Sequence, residues 1–392
     1  MGATVNHGPR TLVIVLAGGA GGRLSPLTDR RAKPAVPFGG MYRLIDVALS
    51  NVTHSGLSDV WVIEQYEPHA LNDHLANGRP WDLDRTHGGL QILPPFEGRR
   101  TGGDDGDNED DGALAAGNAD ALVQHRLAIE GFGADVVVTM SADHLYRLDL
   151  RDVLETHVRT GARLTIVTTD PPADEDGSRF AWVYCSDDGR VEDFEYKPEQ
   201  PGGDRVCTEI FAFDGPTLLD RLRGLEERGS AGDYGDILVP ELVDDGQAVE
   251  HVLEGYWRDV GTIGAYHRAH MELLEESPSL VLGDPHWPLL TGSLIGGPAR
   301  LVEGSEVSRS LLSPGSRITG AVHDSVIGRD VLIEAGATVR RSVVLDGAVV
   351  RRGAQVINAI VDVGTTLGPA DDGQLDESSG VTIFTGDAPS GR

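Results

Sequence analysis

Leu16-Ala-Gly-Gly-Ala-Gly-Gly-Arg-Leu-Ser-Pro-Leu-Thr28, with Arg31-Ala-Lys-Pro-Ala35 close behind it, is the stretch on which the reading of this chain turns. The residues leading into it, Thr11 to Leu16, are an apolar run that reads as a buried first strand. The strand end, Leu16 and Ala17, opens into Gly18, Gly19, Gly21 and Gly22, so backbone N–H groups can approach an anion with no Cβ in the way. Arg23 and Lys33 then add full positive charge beside the loop. This is the make-up of a triphosphate cradle. It lacks the G-x-x-x-x-G-K-[ST] spacing of a P-loop, which argues against that class of nucleotide hydrolase.

The rest of the composition narrows the field. A chain of 392 residues is long enough for two domains, each with its own core. No window approaches the ~20 apolar residues of a membrane span, and Met1 to Arg10 lacks the apolar stretch of a signal peptide. A net charge of −29 argues against nucleic acid and acidic membranes as partners. Anionic substrates then require a local basic pocket, which draws attention to Arg23, Arg30, Arg31, Lys33 and Lys197. Cys185 and Cys207 form no C-x-x-C pattern and read as two reduced thiols of a cytoplasmic protein.

From Thr11 to about Tyr266, short apolar runs alternate with amphipathic segments. Val60 to Ile63, Asp135 to Met140 and Leu164 to Thr168 read as buried parallel strands. Tyr42 to Ser55, Ala119 to Gly131 and Thr262 to Glu276 read as helices. The alternation predicts a doubly wound α/β sheet with ligands at the carboxyl ends of its strands. On the last helix, His267 and His270 are expected to lie on an exposed face. Thr101 to Gly112, glycine-rich and acidic, reads as a mobile loop. From about Ile318 the pattern changes to a period of six: Ile327, Ile333, Val339, Leu345, Ile357 and Val363 fall on one register that Arg351 breaks, with Gly328, Gly336, Gly347 and Gly353 near the implied corners. That period predicts a parallel β-helix with one inward aliphatic residue per face. The acidic tail from Pro369 is expected to fray. The predicted domains are 9–276 and 293–370.

Asp143, in Ser141-Ala-Asp-His-Leu-Tyr146, follows directly on a predicted strand, and Asp259, in Tyr256-Trp-Arg-Asp-Val-Gly-Thr262, is the natural second carboxylate. Two carboxylates together with substrate phosphates suit Mg²⁺. At this point the chain resembles the glucose-1-phosphate adenylyltransferase (ADP-glucose pyrophosphorylase) family of sugar-nucleotide synthases. The resemblance rests on LAGGAGGRLSPLT, RAKPAVPFGGMYRLIDVALSN (31–51), QYEPHAL (65–71), ADHLY (142–146), YKPE (196–199) and YWRDVGTIGAY (256–266), spread over most of the chain. It implies a Rossmann-like nucleotidyltransferase domain followed by a left-handed parallel β-helix, Mg²⁺ dependence and a homo-oligomer, dimer or tetramer. In such an enzyme a sugar-1-phosphate-like acceptor attacks the α-phosphorus of a nucleoside triphosphate and pyrophosphate leaves. The carried-over roles give Arg23 and Lys33 to the β- and γ-phosphates, Asp143 and Asp259 to Mg²⁺, and Lys197 to the acceptor's phosphate. Gln65, Gly117 and Asp120 fall to the nucleotide, and Ala181, Tyr196, Cys207, Glu209 and Asp233 to the acceptor. Arg30, Arg31 and Arg43 resemble the family's effector region.

The acceptor half departs from the family's pattern. Tyr196 stands where F-x-E-K-P has a glutamate that accepts hydrogen bonds from sugar hydroxyls. Cys207-Thr208-Glu209 replaces S-M-G, Phe180-Ala181-Trp182 replaces F-G-V, and Ala116-Gly-Asn-Ala-Asp120 replaces R-G-T-A-D. Glu97 replaces a base-side glutamine; as a pure acceptor it suits the two adjacent donors of guanine, hence GTP beside ATP. The departures favour a specialised enzyme charging a cyclitol phosphate such as valienol 1-phosphate. The alternatives are an ordinary ADP-glucose-forming enzyme and a non-catalytic regulatory subunit of the same fold.

Overall fold

Strand Thr11–Ala17 lies inside the main sheet, between Val136–Ser141 and Asp59–Glu64, and its alternate residues feed two different cores. In the computed structural model, which describes residues 8–18, 21–65, 68–94, 115, 117–229, 231–292 and 296–386, residues Leu12 to Val15 are fully buried. Val13 and Val15 pack with Ile45, Leu49 and Val52 of helix Ile45–His54 on one face. Leu12 and Ile14 pack with Leu122 of helix Asn118–Gln124 and with Leu218 and Leu222 of helix Gly215–Arg228 on the other. A sheet covered on both faces explains why the strand is apolar throughout rather than alternating. The predicted loop Thr101 to Gly112 lies outside the described residues, as do Gly19, Glu97 and Ala116.

Among the described residues the sheet has nine strands. Val136–Ser141, Thr11–Ala17, Asp59–Glu64 and Gly89–Leu93 run parallel in that spatial order. It is not parallel throughout. Leu164–Thr169 pairs parallel with Ala248–Val252 but antiparallel with Arg205–Asp214, a ten-residue strand that also runs antiparallel to Val136–Ser141. An apolar run buried on both faces reads alike in either direction, which is why the sequence does not disclose the reversal. The predicted helix at 42–55 begins instead at Ile45, because Tyr42–Arg43 folds back on Pro37–Phe38 through Gly39 and Gly40, both at positive φ. The predicted helix at 119–131 is two, Asn118–Gln124 and Arg126–Phe132, broken at His125.

His267 and His270 are a correction. Helix Ile263–Glu272 buries both, at 5% and 0% exposure. His270 accepts a hydrogen bond from Gly39 N (3.1 Å) and donates through its other ring nitrogen to Tyr266 O (2.8 Å), so the ring is neutral, and burial drops its pKa to about 3. His267 Nε2 donates to Arg341 O (2.8 Å), stitching this helix to the C-terminal domain.

The C-terminal region is built of parallel sheets stacked coil upon coil, the hexapeptide-repeat architecture of a left-handed β-helix. Ile327, Ile333 and Val339 are fully buried, one on each face. The six-residue register does not continue. Ile357 and Val363 are 51% and 41% exposed, and the interior passes to Val344, Val350, Val356, Val361 and Leu367. Leu345 is buried for another reason: it packs outward against the α/β domain. Pairing of Ile333 with Val350 and of Val350 with Leu367 makes each of these two coils one residue short of three hexapeptides. The shortfall falls at one corner, closed by Asp324, Arg341 and Asn358 in the left-handed conformation at φ 49°, 48° and 48°. Such a conformation costs about 1–2 kcal/mol per non-glycine residue. A ladder of buried hydroxyls offsets it: Ser342 N donates to Ser325 Oγ and Ala359 N to Ser342 Oγ, both at 3.1 Å.

The tail does not fray at Pro369. Strands Gln374–Asp376 and Val381–Phe384 extend the β-helix, the second pairing parallel with Ala359–Val361 and burying Val381 and Ile383. Between the domains, Arg31 pairs with Asp362 (2.7 Å), and Arg43 and Arg329 both reach Asp346 (3.1 and 2.6 Å). No helix among the described residues is long and apolar enough to cross a membrane.

Candidate active site

The glycine loop leaves the carboxyl end of strand Thr11–Ala17 and is held by its neighbours. A Cβ on Gly18 would lie 2.7 Å from Gln65 Cδ, so the glutamine side chain packs directly on the loop backbone. Gly21 sits at φ +64°, and Thr28 Oγ1 donates to its carbonyl (2.8 Å), closing the turn. Gly22 and Arg23 begin the short turn Gly22–Leu24; Leu24 is buried beneath it and Arg23 is exposed above it. Leu16 and Ala17 are buried, and Leu16 O accepts from Ala142 N (3.2 Å), so the loop and the Asp143 segment start from adjoining strand ends.

A two-stranded ribbon brings the carboxylates together. Trp257–Asp259 runs antiparallel to His144–Tyr146, with Asp259 directly opposite His144 and therefore one position from Asp143. Ser141 Oγ donates to Asp143. Lys33 Nζ touches Asp143 Oδ2 and lies 3.5 Å from Asp259 Oδ1. Arg179 lies 3.5 Å from Asp259 Oδ2 and 3.5 Å from Glu175 Oε2, and buried Arg258 donates to Glu175 Oε1 (2.8 Å). Burial by itself would push the Asp143 and Asp259 pKa values up, but Lys33 and His144 outweigh it and hold both below the ordinary range. The same contacts raise the Lys33 pKa against its own burial, so at neutral pH it is an ammonium among carboxylates.

His144 completes the cluster and was not among the residues singled out from sequence. Its Nδ1 is 3.1 Å from Thr208 O, which fixes that nitrogen as the donor and turns Nε2 towards Asp143 (3.8 Å), Asp259 (3.7 Å) and Glu209 (4.0 Å). The adjacency of His144 to Asp143, and of Arg258 to Asp259, is the available signal; Arg179 and Glu175 come from a separate segment and have none. Donor atoms of Asp143, His144 and Asp259 lie within 4.8 Å of one another, and buried Asp259 Oδ1 has no hydrogen-bond partner among the described residues. An unpartnered buried carboxylate oxygen beside a second carboxylate fits a hard divalent cation such as Mg²⁺.

The residues expected to meet the acceptor form a second cluster. Tyr196 OH donates to Asp233 Oδ2 (2.8 Å) and accepts from Lys197 Nζ (2.5 Å). Partial burial and the Asp233 carboxylate both push the phenol pKa up, so it stays neutral. Its ring lies on Gly235, where a Cβ would come within 2.1 Å, and Ala181 stands opposite it in the strand register. Lys197 is exposed, at φ +48°. Asp233 Oδ1 accepts from Asn118 N (3.1 Å) at the start of helix Asn118–Gln124, while Gly117 packs too closely on Gly232 to carry a Cβ. Asp120 is buried on the first turn of that helix, where Gln124 Nε2 donates to it (3.3 Å). Cys207 is buried in the core and its sulfur accepts from Glu209 N (3.3 Å), shaping the bulge that sets Glu209 at φ +58°. Cys207, expected to meet the acceptor, is therefore buried beneath that bulge instead. Glu209 bridges the clusters, close to His144 and near enough to Lys197 for their charges to interact. Of the arginines singled out as basic, Arg31 and Arg43 are engaged between the domains and Arg30 is exposed.

This geometry has counterparts. The family model "Nucleotidyl transferase" matches residues 12–276, and "GlmU-like, C-terminal hexapeptide" matches 297–373. The chain is 42% identical to the glucose-1-phosphate adenylyltransferase of Thermomicrobium roseum over 360 residues, covering 91% of this chain and 81% of that protein. It is 40% identical to the enzyme of that name from Thermotoga maritima, covering 84% and 76%, and 35% identical to that from Clostridioides difficile, covering 86% of each.

Proposed function

We propose, for a chain that belongs to the nucleotidyl transferase family, that it joins GTP or ATP to a sugar-like 1-phosphate with an altered hydroxyl pattern, a cyclitol phosphate such as valienol 1-phosphate. The products are a nucleotide diphosphate conjugate and pyrophosphate. Nucleotidyl transfer itself follows from the family, whose members use a nucleoside triphosphate and a sugar 1-phosphate. The acceptor phosphate is already a nucleophile at neutral pH, so the chemistry needs position and charge rather than a general base. Arg23 and Lys33 would bind the β- and γ-phosphates, Lys197 the acceptor's phosphate, and the glycine loop the remaining phosphate oxygens. Asp143 and Asp259 would hold Mg²⁺, which neutralises charge on the departing pyrophosphate.

The observation that carries the acceptor reading is the Lys197–Tyr196–Asp233 chain of hydrogen bonds. A glutamate at 196 would offer sugar hydroxyls a charged acceptor. The phenol offers none, and its proton is already committed to Asp233. Losing one charged hydrogen bond costs roughly 1.5–3 kcal/mol. The second reading, ADP-glucose synthesis, is favoured by the names of the relatives. Pyrophosphate release measured over the four nucleoside triphosphates and a panel of hexose and cyclitol 1-phosphates decides between them. Glucose 1-phosphate with ATP as the best pair would sink the first reading. We place the enzyme in the cytoplasm as a homo-oligomer of two or four chains, a matter for sedimentation.

A further inference from the structure

Lys33 and Arg179 both stand on the Asp143–Asp259 pair beside His144, and they are held very differently. Arg179 lies 3.5 Å from Asp259 Oδ2 and is anchored from behind by Glu175, itself fixed by buried Arg258. Lys33 touches Asp143 Oδ2 and lies 3.5 Å from Asp259 Oδ1, and among the described residues it has no anchor of this kind. The Lys33, Asp143 and Asp259 side chains are 10%, 15% and 13% exposed, so water screens the trio weakly. Asp259 Oδ1, the oxygen turned towards the ammonium, accepts no hydrogen bond. It attracts a cation without being satisfied by one.

We propose that Lys33 is a placeholder: its ammonium takes up the space between the two carboxylates that a divalent cation needs, and it leaves them only when a triphosphate offers it new anionic oxygens. This rests on the reading of Asp143 and Asp259 as metal carboxylates. The ammonium and a divalent ion compete for the same two oxygens. Displacing Lys33 without a new anion would leave a buried charge unpaired, which is costly. A polyphosphate removes that cost, and the four-carbon stem swings while the turn Lys33–Ala35 stays. Metal and nucleotide binding are then coupled through one side chain, and the coupling is reciprocal. Arg179 stays on Asp259 throughout and keeps it oriented.

The test is titration of Mn²⁺ alone, followed by its paramagnetic resonance signal, on wild-type protein, Lys33→Met, Lys33→Arg and Asp143→Asn, with and without ATP and with no acceptor present. Wild type should bind Mn²⁺ at least about tenfold more tightly with ATP than without it. Lys33→Met should tighten nucleotide-free Mn²⁺ binding by a similar factor, and Lys33→Arg, which keeps the cation, should not. Wild type binding Mn²⁺ equally well with and without ATP overturns the proposal, with no reliance on any variant's folding. So does Lys33→Met binding it no more tightly than wild type while Asp143→Asn abolishes binding. Mn²⁺ binding that survives Asp143→Asn overturns instead the underlying metal assignment.

Discussion

Around Lys33 the charges face charges of opposite sign: one ammonium, one guanidinium and two carboxylates packed with little water. Around Tyr196 a neutral phenol stands between an ammonium and a carboxylate, relaying a hydrogen bond from one to the other. The first arrangement is built for ions that arrive with charges of their own. A metal and a triphosphate can enter it by exchanging partners, with no net burial of uncompensated charge. The second is built for a neutral contact at position 196: it fixes its own members and offers an incoming hydroxyl a phenol there in place of a carboxylate. The difference teaches where this enzyme can change substrate without losing its chemistry. On the proposed roles, phosphate handling would be constrained by charge balance, whereas acceptor recognition would depend on hydrogen bonds that one side chain can redirect.

The largest expected effect is on the charged side. Asp143→Asn or Asp259→Asn should lower kcat at least ~100-fold, since a preorganised charge contact at a transferring phosphoryl group is worth about 2.7–4 kcal/mol. Steady-state kinetics at saturating Mg²⁺ checks it, and near-normal turnover in both variants would remove the carboxylate pair from the mechanism. The next effect, smaller, is on the neutral side. Wild-type kcat/KM for glucose 1-phosphate should fall at least about tenfold below that for a cyclitol 1-phosphate, about 1.4 kcal/mol of discrimination. Tyr196→Glu should move the ratio back while KM for the nucleotide holds. If the nucleotide KM moves as much as the acceptor ratio, the two sides are not separable in this way.

Sequence discloses these two sides unequally, and the reason is physical. The glycine loop, Arg23, Lys33 and Asp143 lie near strand ends that an apolar run marks, so their place could be read from local pattern. Asp259 could be paired with Asp143 by residue type, but the ribbon that puts it opposite His144 is a tertiary fact. Tyr196 was legible as a departure, yet its bond to Asp233 spans 37 positions and leaves no periodic trace. The antiparallel strand Arg205–Asp214 was missed because burial on both faces erases direction. The β-helix was legible as a repeat but not in its register, because Asp324, Arg341 and Asn358 take left-handed corners that glycine usually signals. His267 and His270 were misplaced because the surface they cover belongs to other segments, Gly39 and Arg341.

The last expected effect is on stability rather than on rate, and it probes an exception to the charge balance beside the glycine loop. Glu64 ends strand Asp59–Glu64 beside Gln65, is 1% exposed, and has an oxygen, Oε1, with no hydrogen-bond partner. Among the described residues no cation faces it; burial lifts its pKa from 4.5 to about 7, with a hydrogen bond to Asn72 opposing the rise. A carboxyl whose pKa is higher in the folded state favours folding while protonated. That favourable contribution is complete below about 4.5, where folded and unfolded chains are both protonated, and is lost as pH rises through about 7. Glu64→Gln keeps the shape and removes the titration. The variant should therefore match wild type near pH 4.5 and exceed it at pH 8, by no more than roughly 3 kcal/mol from the size of the shift. For domains of this size that is a few degrees in Tm, read by calorimetry at the two pH values. The many other carboxylates titrate alike in both proteins, so the difference isolates Glu64. A gap in Tm that is the same at both pH values would mean Glu64 finds a counter-charge after all, and the nucleotide side would then be balanced without exception.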